Sequence, residues 1–320
     1  MRLRLFKESK DKNFRGKGSK ISKEKSRRFP KKEEKSLHSK EEKPLPSDGP
    51  NEILRRETFN SEPEEDIYKI AVGYDPEDNP YPLFDYAFEM AKLLKGKVIF
   101  VHALEEIVKT DRVEEEEKSI LQKLTEILSN YTRYRVPMEI KILYGKSIET
   151  FQKLVEEFHI DLFAFYFYKK LFGKSFSQEL LEYLPTNLLV VKDNIKFRKI
   201  KKVLVPVDFS ESSFKQKEFI ERLLTYSPYR LEIDFVHIVE EENTDPSKEE
   251  EIRYLFKELF GTTEKLILLN GDPEEVIIEL IHEKDYDLVV LGRTGKGLNQ
   301  EGGRVSKTVV KEAPCPVVLV

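Results

Sequence analysis

The chain has 320 residues, long enough for two domains of ordinary size, with 39% hydrophobic and 36% charged residues, below and above the usual shares. Residues 1–50 hold 17 Lys and Arg against 8 Asp and Glu, whereas residues 51–320 hold 38 against 51, so the net charge of −4 conceals a basic head and an acidic body. The single cysteine, Cys315, excludes an intrachain disulfide, five scattered histidines offer no metal-binding spacing, and no stretch approaches the roughly 20 apolar residues of a membrane span.

A soluble protein of the reducing cytoplasm is expected. Residues 1–65 read as a disordered basic tail. Arg2 and Arg4 alternate with Leu3 and Leu5 and no apolar segment follows, which is not the pattern of a secretory signal. Phe6, Phe14 and Phe29 stand isolated among Lys, Ser and Glu, too little apolar surface to offset the entropy of ordering. Such an arm is either a plain solvated tail or a polyelectrolyte that recruits nucleic acid or anionic lipid.

Order is expected from Ile67. Tyr68 to Gly73 reads as a buried strand ending at Tyr74-Asp75, Tyr81 to Leu94 as a helix, Lys97 to Ala103 as a second strand, and Arg112 to about Asn130 as a long charged helix. Val136 to Leu143 gives a third strand, and Gly145 turns the chain into a helix with Ser147 as its N-cap. Leu162 to Phe167 is the fourth strand and Leu188 to Val191 the fifth. Strands alternating with helices predict a parallel sheet covered on both faces.

The same order recurs. Ile67 to Asp75 has the spacing of Ile200 to Asp208, and Gly145 to Asp161 that of Gly271 to Asp287. His102 and His237 both close a second strand, and Pro185 and Pro314 both precede a fifth. The sequence therefore predicts two copies of one doubly wound α/β domain, at 66–193 and 198–320.

The chemistry concentrates in the second copy. Leu288 to Leu291 is an apolar strand that stops at Gly292, and Gly292, Gly295, Gly297, Gly302 and Gly303 permit several N–H groups to turn towards one anion. A helix over Val305 to Glu312 adds its positive end, with Arg293, Lys296 and Arg304 in or beside the loop, and Ala313-Pro314-Cys315-Pro316 leads to a last strand, Val317 to Val320. Glycine-rich loops of this kind are common without any ligand, so context decides. The context is Val203 to Val207, a strand leading into Asp208, after which Ser210 or Ser212 is expected to cap a helix. In a parallel sheet Asp208 and the Gly292 loop open onto one crevice at the topological switch point. Taken alone, Asp208 is as well explained as a turn carboxylate. Asp272 reads as a helix cap with Pro273 at the first helical position and Glu275 at the third, and His237 as a packed histidine rather than a catalyst. In the first copy Phe165-Tyr166-Phe167-Tyr168-Lys169 stands where Leu291-Gly292-Arg293-Thr294-Gly295 stands in the second, so bulky side chains fill the phosphate space and Asp75 merely ends a strand.

The stretches Val203-Leu204-Val205-Pro206-Val207-Asp208-Phe209-Ser210-Glu211, Val236-His237-Ile238, Gly271-Asp272-Pro273, Val289-Val290-Leu291-Gly292-Arg293-Thr294-Gly295 and Ala313-Pro314-Cys315-Pro316-Val317 resemble the universal stress protein domain. The first copy resembles it more faintly, so the whole is similar to the tandem type of that family. The resemblance implies a strand order 3-2-1-4-5 in each domain. It also implies a site for a nucleotide, ATP with Mg²⁺ in those members that bind it, with Asp208 and Ile238 about the adenosine, Gly292, Arg293, Gly295, Gly303 and Arg304 along the phosphate loop, and Pro206 among the nucleotide-binding residues. The family loop runs Gly, two residues, Gly, nine residues, Gly, then Ser or Thr. Aligned back from Ala313-Pro314-Cys315-Pro316, this chain is two residues shorter and carries Gly303-Arg304 at the Gly-Ser position; counted forward from Gly295, the position falls on Val305-Ser306.

The same resemblance implies that the domains pair through Leu188 to Val191 and Val317 to Val320 within one chain, a pseudo-dimer with further self-association left open. The expected function is an adenine-nucleotide-binding or degenerate regulatory module of the stress response. It is not expected to be an enzyme, since no nucleophile and base pairing is visible. The alternative is a nucleotide-independent interaction scaffold whose basic tail recruits nucleic acid or membrane. A relative of the ATP-cleaving α-hydrolase type would need a Ser-Gly-Gly-x-Asp-Ser loop, and Val207-Asp208-Phe209-Ser210 lacks its glycines.

Overall fold

The computed structural model describes residues 67–105, 110–168, 175–239, 246–261, 266–293 and 303–320. The basic tail expected at 1–65 and loop residues 294–302 lie outside them. The first half runs β1 (Tyr68–Gly73), α1 (Tyr81–Leu94), β2 (Gly96–Leu104), α2 (Asp111–Ser129), β3 (Met138–Tyr144), α3 (Ile148–Phe158), β4 (Leu162–Tyr166), α4 (Phe176–Tyr183) and β5 (Asn187–Val191). The second runs β6 (Lys202–Pro206), α5 (Ser212–Tyr226), β7 (Glu232–Val239), α6 (Pro246–Phe260), β8 (Leu266–Asn270), α7 (Pro273–Lys284), β9 (Leu288–Leu291), α8 (Arg304–Glu312) and β10 (Val317–Leu319).

Local chemistry sets most of these boundaries. Thr110 accepts from Val113 N at the head of α2, Ser147 from Thr150 N at the head of α3, and Ser175 forms a reciprocal capping box with Gln178 on α4. Asp272 accepts from Glu274 N and Glu275 N, and Pro273 opens α7 where its missing N–H costs nothing. The expected serine cap of α5 is corrected: Glu211 stands at the N-cap without a side-chain bond, because the Asp208 carboxylate takes the Ser210 N–H at 2.9 Å and the Ser213 hydroxyl at 3.3 Å.

All ten strands form one sheet in the order β3-β2-β1-β4-β5-β10-β9-β6-β7-β8. Within each half the strands are parallel and run 3-2-1-4-5 by position in the half, and the central contact is β5 against β10, antiparallel, with Val190 opposite Val317, Leu189 opposite Val318 and Leu188 opposite Leu319. The apolar side chains divide into one layer on each face, and both layers run across the seam: Leu189 packs with Val318 on one face, Leu188 and Val190 with Val317 and Leu319 on the other. The near-continuous apolar runs of β1, β4 and β9 follow from this covering on both sides.

Polar contacts recur at matching places. Asp161 Oδ2 accepts from Lys69 N at 2.8 Å, and Asp287 Oδ2 accepts from Lys202 N at 2.9 Å. Gly145 and Gly271 both take positive φ, 87° and 136°, in the turn after a half's third strand. At Gly271 a side chain would also collide, since a Cβ would sit 2.8 Å from Val276. Further ties cross the seam: Arg222 Nε donates to Leu94 O at 3.0 Å, the Tyr229 hydroxyl donates to Glu89, and the Tyr86 hydroxyl donates to Lys196 O and accepts from Arg198 N. Among the described residues no helix is long and apolar enough to cross a membrane, and no cluster of three or more metal-ligating side chains occurs.

Burial pushes the Tyr68, Tyr86 and Tyr166 hydroxyls up to about 12. Because the folded value lies above the unfolded value of about 10, the contribution is intact below pH 10 and is lost as pH rises towards 12. Unfolding free energy measured by denaturant titration should therefore fall with pH across that window; a flat or rising profile would contradict the burial of these groups.

Candidate functional site

The second half has its topological switch point where β6 and β9 lie side by side and their chains continue to opposite sides of the sheet, the place at which open α/β sheets bind ligands. Three of the expected residues meet at this edge. Pro206 ends β6, and its carbonyl accepts from Gln216 Nε2 at 2.8 Å; Asp208 forms the turn that heads α5; Ile238 lies on the neighbouring β7, half-buried. Phe209 is held at φ 55°, a costly conformation for a residue with a side chain, and its ring centroid lies 4.9 Å from that of His237. Ser210 Oγ is buried there with no hydrogen-bond partner among the described residues.

His237 has a definite structural task. Its Nδ1 lies 2.7 Å from Val207 O, and in the first half His102 Nδ1 lies 2.9 Å from Tyr74 O. A carbonyl only accepts, so Nδ1 carries the proton in both, and each histidine clips the residue that precedes Asp208 or Asp75 to the second strand. The sequence signal for this clip is the parallel placement of the two histidines at strand ends.

The loop after β9 is closed at its base. Gly292 follows β9, Arg293 N donates to Val320 O at 2.9 Å, and Gly303 N donates back to Arg293 O at 3.0 Å, so Arg293 and Gly303 meet. Gly303 is the N-cap of α8 in extended conformation, and the Ser306 hydroxyl lies within hydrogen-bond reach of both Arg293 O and Gly303 O. Gly295, with Thr294, Lys296, Gly297 and Gly302, lies outside the described residues. The two arginines are engaged elsewhere in the protein. Arg304 pairs with Asp272 Oδ2 at 3.0 Å and Glu274 Oε1 at 2.5 Å, and the Thr308 hydroxyl holds the other Glu274 oxygen at 2.6 Å. Partial burial works against the Asp272 carboxylate, yet the N–H groups of Glu274 and Glu275 together with Arg304 hold its pKa below the usual range. Arg293 Nη1 and Nη2 donate to Leu184 O at 2.6 Å and Leu181 O at 3.0 Å, in the first half.

The equivalent place in the first half is filled. Tyr166, which ends β4 in the position of Gly292, accepts from Leu83 N at 3.1 Å and donates to Asn79 O at 2.7 Å, so its hydroxyl sits on the N-terminus of α1. Tyr74 and Phe84 pack beside each other, the Tyr168 ring lies 6.0 Å from that of Tyr166, and Lys146 spans Asp75 and Glu105 at 3.6 Å each. Lys169 lies outside the described residues.

Residues 199–320 match the model of the universal stress protein family. A universal stress protein of Methanothermobacter thermautotrophicus is 40% identical over 58 residues, 18% of this chain and 39% of the relative. One of Methanocaldococcus jannaschii is 32% identical over 140 residues, 38% of this chain and 81% of the relative. The crystal structure of a universal stress protein from Archaeoglobus fulgidus superposes with a TM-score of 0.63 at 18% identity, covering 78% of this chain and 97% of that one, which establishes the shared fold. This chain belongs to the universal stress protein family.

Proposed function

We propose that the protein is a tandem universal stress protein, with domains at 66–193 and 198–320, acting as a nucleotide-responsive module with one adenine-nucleotide site per chain, in the second half. The observation that carries this reading is the closed base of the loop, Gly303 N on Arg293 O at 3.0 Å, at the same sheet edge as the Asp208 turn. The buried Ser210 hydroxyl, without a partner among the described residues, suits a polar ligand there. Ile238 and Pro206 would border the adenosine, Asp208 would face its ribose, and backbone N–H groups beyond Gly292, at Gly295 and in the first turn of α8 after Gly303, would receive the phosphates. Arg304 sits beside that path but is shared with Asp272 and Glu274, so it replaces the family's hydroxyl only in part. Loss of one hydrogen bond to a charged group weakens binding by about 1.5–3 kcal/mol, roughly 10- to 100-fold. ATP with Mg²⁺ is the proposed ligand, and binding rather than turnover the proposed activity.

A second reading, an interaction scaffold that uses no nucleotide, is favoured by the engagement of both Arg293 and Arg304 in protein contacts. Calorimetric titration with ATP and Mg²⁺ separates the two. The module gives a stoichiometry near one per chain, abolished by Gly292→Tyr, which copies the first half. No heat with the unaltered chain would leave the scaffold, and two equivalent sites would refute the assignment to one half.

A further inference from the structure

Arg293 stands at the start of the loop, yet its guanidinium is used in the other half of the molecule. It donates to Leu181 O at 3.0 Å, in the last turn of α4, where Pro185 four residues on has no N–H to offer, and to Leu184 O at 2.6 Å, the C-cap carbonyl that also accepts from Thr186 N at 3.0 Å. A cation is well placed at the negative end of a helix. The group is half-buried, its Nε has no hydrogen-bond partner among the described residues, and burial alone lowers its pKa to about 10. Holding a guanidinium in such surroundings is costly, so the contact is specific rather than incidental. The backbone of the same residue meets Val320, just past β10, through its N–H and the two ends of α8's first turn through its carbonyl, which takes Gly303 N and Ser306 Oγ. One residue thus ties together the base of the loop, the head of α8, the last strand and α4 of the opposite half. Beside it α4 and α8 are separated by a groove of about 200 Å³ between Leu181, Glu182, Lys307 and Lys311, so this polar tie bridges two helices that are not packed flush.

We propose that Arg293 is a positioning residue, a strut through which the first half holds the two anchor points of the second half's site, Arg293 and Gly303, so that the site is incomplete without the half that has lost its own. Binding in the loop and the order of the C-terminal end of α4 are then linked, each favouring the other by the same factor. The geometric part stands on the contacts above; the part that involves ligand rests on the proposed nucleotide site.

Hydrogen exchange of the full chain, read by mass spectrometry with and without ATP and Mg²⁺, tests both parts. Without ligand, Arg293→Met should accelerate exchange about tenfold both at 182–187 and at 303–307, while Arg293→Lys, which can reach one carbonyl, should lie between. Unchanged exchange at either segment in Arg293→Met overturns the strut, whether or not any nucleotide binds. With ATP, the unaltered chain should gain protection at 182–187 as well as around 292 and 303, and Arg293→Met should bind about tenfold more weakly, with Lys recovering part of the loss. Protection around the loop that never reaches 182–187 overturns the linkage. No protection anywhere refutes the nucleotide reading, and the ligand-free comparison still decides the strut.

Discussion

Leu189→Asp is expected to unfold both halves of the molecule together. Leu189 is fully buried at the centre of β5, between Ala164 of β4 and Val318 of β10, in an apolar layer that continues from one half into the other. Deleting such a side chain costs about 2–5 kcal/mol, and a carboxylate in its place adds the penalty of an ionised or neutral polar group with no partner. A whole domain has only about 5–15 kcal/mol of stability. Since the seam strands carry both apolar layers, the loss cannot be confined to one half. Thermal melting followed by circular dichroism should show one transition, lowered by 10 °C or more or abolished at 25 °C, whereas Leu189→Val should cost little by comparison. A melt in which one half unfolds early and the other keeps its original midpoint would show that the halves are energetically separate despite the continuous sheet.

The periodicity of the sequence carried the architecture because the strands are buried on both faces and so have few alternatives. Short runs such as Val98 to Val101 and Leu288 to Leu291, bounded by turn residues, fit strands of a covered sheet, and the recurring Asp, Gly and Pro positions reported one pattern of turns used twice. Strand ends moved by one or two residues, as at β3, because every side chain of that edge strand is partly exposed and the apolar contrast is weak. The family model and the Methanocaldococcus relative agree with the resemblance drawn from the motifs.

The side-chain partners of the site were less legible, for a different reason. Asp208, Arg293 and Arg304 are placed by their position along the chain, but their partners are chosen in three dimensions among charges that sequence alone does not rank. Arg304 meets Asp272 and Glu274, 32 and 30 positions away, because α7 and α8 pack against each other; Arg293 meets α4 because the two halves fold onto one seam. The missed serine cap has a local cause. A carboxylate two residues ahead of Ser210 accepts from its N–H and competes with the serine for the head of α5. The histidine clips lay in plain view as a repeated position, but their direction, towards the carbonyl before each Asp, follows only from the register of β1 with β2 and of β6 with β7.

Tyr166→Ala should cost the first half about 3–5 kcal/mol without creating a working site there. The ring is almost fully buried, and its hydroxyl both accepts from Leu83 N and donates to Asn79 O, so truncation opens a cavity and strips a partner from the head of α1. Tyr166→Phe separates the two terms. It keeps the packing and leaves the buried Leu83 N–H without its acceptor, for a loss of about 1–3 kcal/mol, and it removes one of the groups whose titration lowers stability between pH 10 and 12. The hydroxyl stands on a helix N-terminus much as an anion would, which is why the space is closed to a phosphate: a side chain already satisfies those donors. Opening it does not supply the rest of a site. Asp75 would still be joined to Lys146, and Tyr168, Phe167 and Tyr74 would still crowd the edge. Denaturant titration of the two variants should rank Ala well below Phe and Phe below the unaltered chain, and ATP calorimetry on the Ala variant should leave the stoichiometry unchanged. Equal stabilities for Phe and the unaltered chain would mean that the hydroxyl contributes nothing to the head of α1, and a new binding step in the Ala variant would mean that Tyr166 alone keeps the first half closed.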